Sequence, residues 1–424
     1  MVNAILEGIA RREGARVLAS LIRTLGDFDL AEDALQDAYV RALQHWPTAG
    51  VPDRPAAWLL TVARRAALDK LRANRLTDRQ QSDDVATADA WRVAPIEYDD
   101  TPDDDSVQRS GVDDDRLRLI FTCCHPAIAP KAQAALALRT LCGLETREIA
   151  RAFLEPEATT AQRLVRAKQK IREAGIPFAV PARDKLPTRT AVVLGVIYLV
   201  FNEGYAATEH ASFVRAMLCA EAIRLARLVV ELLPDDGEAR GLLALLLLTD
   251  ARRASRLDEC GMIVPLELQD RTKWDIAQRS EGIALVAPAL AQGSGPYRIQ
   301  AAIAALHAEA TTAAETDWLQ IVALYAALLQ HTPSPVVELN AAAALAMAIG
   351  PEHGLMWMNR LADDGQLKGF HLLPAAQADL LRRLKRWGDA ADAYRAALQL
   401  VTAPAERRYL EWRLAEALGT GTRE

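Results

Sequence analysis

A chain of 424 residues, 51% hydrophobic and 25% charged, exceeds one ordinary domain and has the apolar content for real cores. No run reaches the ~18 consecutive apolar residues needed to span a bilayer, and the first residues lack a signal-peptide layout, so a soluble, cytoplasmic protein is expected. Five scattered cysteines, Cys123, Cys124, Cys142, Cys219 and Cys260, argue against a disulfide framework. The net charge of -6 runs against a nucleic-acid binder until it is divided along the chain: +2 over residues 1–79, -10 over 80–115, +7 over 116–185 and -5 over the remainder. Positive charge is thus concentrated in one segment, as an electrostatic footprint on nucleic acid requires.

Val2 to Leu25 is an apolar-periodic helical stretch, and Gly26 to Asp29 is a break. Asp29 followed by Glu32 is an acidic variant of the capping box and predicts a helix start there. Over Asp29 to Trp46 the apolar stripe is Leu35, Tyr39, Ala42 and Trp46, so Asp33, Asp37, Val40, Arg41 and Gln44 face away and could dock a partner. Pro47 is expected to end this helix, and PTAGVPDRPA to form an ordered loop. Ala56 to Arg75 predicts a helix carrying Arg64, Arg65, Lys70, Arg72 and Arg75. It is apolar on more than one side, hence mostly buried with its arginines emerging at one end. Residues 80–115, with DDTPDDD and VDDDR, combine few aliphatic side chains with charge of one sign and read as a flexible linker.

From Arg116 the helices resume. Cys123, Cys124 and His125 are adjacent, and adjacent ligands cannot all reach one tetrahedral zinc without a contorted backbone, so they read as a helix end with buried thiols. No metal or cofactor is expected. Leu144 to Arg172 predicts two helices with Pro156 at the corner: Glu148, Ile149, Ala150, Phe153 and Leu154 in a short first helix, then Thr160, Leu164, Ala167 and Ile171 as the buried stripe of a second. The outward face centres on Gln162, Arg166 and Gln169, with Val165 beside them and Arg163, Lys168, Lys170 and Arg172 on the flanks. Amides that pair with adenine, arginines that fork onto guanine and lysines for phosphates make it a recognition helix for a DNA major groove, against the blander reading of a solvated basic face. Pro177 to Pro187 reads as a second hinge.

These residues carry a resemblance. AEDALQDAYVRAL and WLLTVARRAALDKLR resemble the two helical motifs of region 2, and TREIARAFLEPEATTAQRLVRAKQKIR the helix-turn-helix of region 4, in the extracytoplasmic-function (ECF) group of bacterial sigma-70-type RNA polymerase sigma factors. Residues 1–79 are similar to region 2 and 116–176 to region 4. The resemblance implies binding to core RNA polymerase, through the β′ clamp and the β flap, and to promoter DNA. It implies that Asp33, Gln36, Asp37 and Arg41 grip the clamp. Trp58, Arg64, Arg65 and Arg72, with the loop from Pro47 to Ala56, correspond to the part that melts and holds the -10 element; base pockets and backbone cations suit that task. The -35 reader corresponds to Ala161, Gln162, Arg163 and Arg166, flanked by Lys168, Lys170 and Arg172. Ala161 stands where the family usually has lysine, which bears on promoter affinity, and Arg65 where it has asparagine, which bears on the -10 preference.

The remainder is longer than the sigma module and rich in alanine and leucine. Leu372 to Leu400 has a tetratricopeptide pattern, with Trp387-Gly388 at the turn and Ala390, Ala393, Tyr394 and Ala397 on the packing side of its second helix; Leu339 to Leu361 and Pro404 to Leu418 look like degenerate neighbours. Residues 187–290 predict a helical domain and 291–424 tetratricopeptide-like repeats, a layout similar to the ECF subgroup with a long C-terminal extension. Asn202, Glu203 and Tyr205, around Gly204, read as a helix C-cap. The expected fold is therefore all-α: region 2, acidic linker, region 4, then a helical extension whose repeats offer a surface for a protein partner. GxxxxGK[ST], HExxH and GxSxG are absent, so the protein is read as a non-enzyme. Two other readings stand beside a sigma factor: a stand-alone helix-turn-helix regulator with a scaffold domain, and a C-terminal half that is an enzyme or small-molecule sensor controlling the first half, which a pocket with converging ionisable residues would favour.

Overall fold

The computed structural model describes residues 2–81, 115–153, 155–205 and 213–421. The predicted linker falls almost wholly outside them. Among the described residues the regular elements are helices, with one isolated antiparallel bridge between Leu257 and Ile263. The chain divides into two units, Met1–Val196 and Ile197–Glu424.

The first unit opens with α1 (Val2–Leu25), α2 (Phe28–Ala49) and α3 (Pro55–Gln81), which pack on one another. Gly26, at φ 69°, ends α1 and donates its N–H to Ile22 O at 2.8 Å. The N-cap of α2 is Asp27, whose side chain accepts from Leu30 N at 2.9 Å, so the predicted Asp29–Glu32 box does not form. The chain re-enters the helix two residues earlier, which leaves both acids free for another task. Pro47 lies inside α2 rather than ending it. A proline in the last turn forfeits a single backbone bond, and the helix closes through Gly50, which at φ 84° donates to Trp46 O. Trp46 is buried and meets Trp58 of α3 edge-on, ring centroids 5.5 Å apart.

α4 (Asp115–Cys123) packs on α1, and α5 (Pro130–Thr140) on α7 (Glu157–Glu173). α6 (Thr146–Ala152) starts at a capping box in which Glu145 and Glu148 each receive the other's backbone N–H. Pro156 is the N-cap of α7, whose buried residues are Thr160, Leu164, Ala167 and Ile171, the stripe expected from the spacing. Cys123 and Cys124 are buried; burial pushes the Cys123 thiol up to about 12, with Thr140 Oγ1 3.2 Å away. α8 (Leu186–Tyr205) follows an irregular connection in which Pro177 O accepts from Thr122 Oγ1 at 3.4 Å, and Arg189 on α8 donates to Phe121 O at 2.6 Å.

In the second unit α8 continues through Gly204 to Tyr205, so the predicted cap at Asn202–Gly204 is not formed. Tyr205 stacks on Phe201 at 5.3 Å, and the Arg256 guanidinium lies 3.8 Å over its ring while donating to Tyr205 O. Helices α9 (Phe213–Leu232) and α10 (Gly237–Asp250) precede an irregular stretch to residue 275. They are followed by α11 (Ile276–Leu290), α12 (Pro296–Glu309), α13 (Trp318–His331), α14 (Pro335–Ile349), α15 (Pro351–Asp363), α16 (Leu372–Arg383), α17 (Trp387–Leu400) and α18 (Pro404–Gly421). From α12 onward each helix packs on the next, around a core that includes Leu339, Met358, Leu381 and Tyr394. The turn between α16 and α17 is Leu384–Arg386, with Lys385 at φ 59°, so Trp387 and Gly388 begin the helix instead of forming the turn. Gly354 lets α15 approach α14: a Cβ there would lie 2.5 Å from Ala346 Cβ and 2.6 Å from Ala342 O.

Candidate nucleic-acid and polymerase interface

The outward face of α7 follows from its buried stripe. Gln162, Arg166, Gln169 and Lys170 are exposed, and Val165 is 61% exposed. Arg166 and Lys170 have no acid within ion-pair distance among the described residues, whereas Gln169 donates to Glu173 at 2.7 Å. Two predicted DNA cations are held differently. Arg163 forks onto Glu155, in the turn that enters the helix, with one bond of 2.7 Å and a second, shorter one; Thr160 Oγ1 donates to the same carboxylate. Arg163's hydrogen bonds hold the Glu155 carboxyl below the usual range despite its burial. Lys168, 13% exposed, donates to Asp29 at 2.9 Å and to Glu32 at 2.8 Å on α2, and Arg172 lies 3.6 Å from Asp29. Burial alone would lower the Lys168 pKa; Glu32 and Asp29 more than offset it and raise it.

On α2, Asp33, Gln36 and Arg41 are exposed and Asp37 is half-buried, with the buried alanines Ala31, Ala34, Ala38 and Ala42 on the opposite side. Lys70 of α3 sits between the acids, 3.8 Å from Asp33 and 3.0 Å from Asp37. Lys70 is shared between the two carboxylates, and exposed Arg41 stands on the same face, so the surface carries charge of both signs. The α3 residues expected at melted DNA separate into two groups. Arg65 and Arg72 are exposed, Arg72 lying 3.5 Å from Asp69, and half-buried Trp58 stacks on His45 with centroids 6.3 Å apart. Arg64 is withdrawn: burial and then Arg23 lower its pKa, Asp115 opposes them, and its Nε has no hydrogen-bond partner. Asp115, at the start of α4, also pairs with Arg23 of α1 at 3.2 Å. The side chain of Arg75 lies outside the described residues.

Besides the packing of α4 on α1, charged contacts join the helices of residues 2–81 to those of 115–176: Lys168 and Arg172 with Asp29 and Glu32, and Asp115 with Arg23 and Arg64. Each involves a cation that sequence reasoning assigned to DNA, and the pairings were missed because the residues are far apart in the chain. Their one signal was the misplaced cap, since Asp29 and Glu32 are three apart on one helix face. Among the described residues no group of three or more His, Cys, Asp or Glu is arranged to hold a metal ion, and no helix is long and apolar enough to cross a membrane.

Residues 9–77 match the Sigma-70 region 2 family, residues 118–171 the Sigma-70, region 4 family, and residues 189–290 a family of unknown function, DUF6596. The chain is 41% identical over 400 residues to "Uncharacterized protein R00370" of Rhizobium meliloti, covering 94% of this chain and 92% of that protein. It is 28% identical over 183 residues to "Probable ECF RNA polymerase sigma factor SigI" of Mycobacterium tuberculosis, covering 43% of this chain and 60% of the relative. With "ECF RNA polymerase sigma factor SigL" of the same species it shares 33% identity over 98 residues, 22% and 55% of the two chains. No solved structure matches.

Proposed function

The chain belongs to the ECF group of sigma-70-type RNA polymerase sigma factors, which bind core polymerase and promoter DNA, and from that premise we propose how its residues divide the work. Sigma factors initiate transcription without being enzymes. Gln162 and Arg166 read base edges of the -35 element while Lys170 and Arg172 hold phosphates. Trp58, Arg65 and Arg72 engage the -10 strand, a hydrophobic ring for a flipped base beside cations for the backbone. The exposed face of Asp33, Gln36, Asp37 and Arg41 docks on the β′ clamp, and residues 116–176 meet the β flap. Both partners place the protein in the bacterial cytoplasm. The observation that carries this reading is that Gln162, Arg166 and Lys170 stand exposed on one side of a helix whose buried stripe is Thr160, Leu164, Ala167 and Ile171, with no acid within ion-pair distance of Arg166 or Lys170 among the described residues.

Arg64, Arg163 and Lys168 join the interface in a second arrangement. In the present one Arg64 and Lys168 face acids across the two regions, and Arg163 faces Glu155. Promoter engagement by Lys168 and Arg64 thus requires residues 2–81 and 115–176 to separate, and core polymerase supplies the differential contacts for that step. The C-terminal extension biases the same step, with a positive sign, through a protein partner or the polymerase itself on its helical repeats. Transcription of a genomic promoter library by the purified chain with core polymerase tests the reading. A discrete set of promoters sharing -35 and -10 elements is expected; transcription no different from core polymerase alone would refute it.

A further inference from the structure

The second unit contains a cavity that neither promoter recognition nor helix packing requires. It has a volume of about 240 Å³ and an apolar wall that includes Leu266, Trp318, Met347, Met358 and Leu380. A second hollow of about 160 Å³ shares His307, Trp318, Ala343 and Met347 with it and adds Tyr325 and Ile321. An enclosed, dry cavity of about 150 Å³ accepts benzene; this hollow is larger but open to solvent, and has room for a fused bicyclic ring. Met347 suits such a guest, because methionine adapts its shape; its sulfur accepts from Arg383 at 3.0 Å, and Met358 is fully buried in the wall.

The polar groups of the wall define the rest of the ligand. Glu267, Asp379, Arg271 and Arg383 line the cavity, two charges of each sign. Arg383 is engaged with Glu267 at 2.9 Å and Asp379 at 2.7 Å, and Arg271 donates to the carbonyls of His307 and Ala310. No net charge remains to recruit an ion. Besides Tyr409, whose hydroxyl accepts from Arg413 at 3.0 Å, the wall offers Thr316, 6% exposed, whose buried Oγ1 has no hydrogen-bond partner, and the His307 ring, set edge-on to Trp318 with centroids 5.1 Å apart. Burial, then Arg252 and Arg271, push the His307 pKa down to about 4, so the ring is neutral at physiological pH and has both a donor and an acceptor nitrogen. A buried hydroxyl left unpaired is costly unless a partner enters.

We propose that this cavity binds a small, neutral aromatic molecule carrying one hydroxyl or carbonyl group, its ring against Trp318 and Met347 and its polar group on Thr316 and His307. This goes beyond the sigma reading and depends on it in no way, since binding requires neither polymerase nor promoter. The test uses the full-length chain, three probes of one ring shape, 2-naphthol, naphthalene and 2-naphthoate, and the pair p-cresol and a blocked tyrosine tripeptide, followed by calorimetry and ligand-observed NMR. Saturable 1:1 binding of 2-naphthol is expected, with 2-naphthoate at least about tenfold weaker because its charge would be buried unpaired. Thr316→Val should weaken 2-naphthol by about tenfold, the worth of one hydrogen bond, and leave naphthalene unchanged. Ala343→Phe should fill the space and abolish binding of both; should it fail to fold, the near-isosteric Thr316→Val still decides. Absence of saturable 2-naphthol binding, or binding indifferent to Thr316→Val, overturns the proposal and leaves the cavity to water. A blocked tyrosine tripeptide that binds more tightly than p-cresol also overturns it, because the occupant would then be a protein segment.

Discussion

Arg166 and Lys168 are two residues apart on α7, yet their surroundings give them different tasks. Arg166 is exposed with no acid beside it, so Arg166→Ala is expected to remove a base contact, costing roughly 1 to 3 kcal/mol and relaxing the -35 preference. Binding of the polymerase complex to a panel of -35 variants checks this; a loss equal on all variants would refute the base-reading role. Lys168 donates to two acids in a site where it is 13% and Glu32 16% exposed. Glu32→Gln should therefore destabilise the free protein by about 1 to 3 kcal/mol, the range of charge-assisted hydrogen bonds, while strengthening DNA binding in the absence of polymerase. Denaturation and band-shift measurements read the two effects separately, and weaker DNA binding by the variant would sink the idea that this contact withholds Lys168. Glu155 supplies a pH signature. Its carboxyl is held below its ordinary value by Arg163, so its contribution is full above the unfolded pKa of about 4.3 and is lost as pH falls through the depressed folded value. The stability gap between wild type and Glu155→Gln should be constant at neutral pH and close on acidification below that point. A gap that persists at pH 2 would show that packing, not charge, is responsible.

Between elements, close approach and surface charge make separate demands. Gly354→Ala places a methyl 2.6 Å from the carbonyl oxygen of Ala342 on the neighbouring helix, a backbone atom that cannot yield cheaply, and should cost about 1 to 3 kcal/mol by denaturation. Gly388→Ala, with nothing within 4 Å, is the control: there the better helix propensity of alanine leaves stability unchanged or raised. On α2 the double substitution Asp33→Lys, Asp37→Lys is expected to abolish co-purification with core polymerase. It also sets three cations together, since Lys70 now pairs with both acids; with side chains 41% to 65% exposed the added repulsion is screened and the thermal midpoint should hardly move. Retained co-purification by a folded double variant would remove this helix from the polymerase contact.

For the whole chain, truncation separates the extension from the promoter-binding part only if the cut respects the structure. The first unit runs to Val196, and Arg189 and Pro177 both bond to α4, so a chain ending before Pro177 loses contacts of its own unit. Run-off transcription by a chain ending at residue 205, which keeps α8 whole, compared with full length at equal folded concentration, is expected to fall if the extension acts positively. Equal transcription would show that the extension does not regulate initiation.

The sequence alone determined what is local or periodic. A stripe such as Thr160, Leu164, Ala167 and Ile171 selects its own buried side because helix geometry fixes the phase, and the exposed face of Gln162 and Arg166 follows from it. The motifs of regions 2 and 4 were legible for the same reason, each being a short run whose residues act where they stand. The sequence misplaced the start of α2, its end at Pro47 and the turn before Trp387, because a cap or a single missing backbone bond is decided by margins of about 1 kcal/mol that neighbouring contacts outweigh. Only the tertiary structure could decide that Lys168 meets Asp29 and Glu32 across more than 130 residues of chain, or that Thr316, His307 and Met358 line one cavity. No periodicity encodes such meetings, since they depend on how helices cross and not on the order of residues within them.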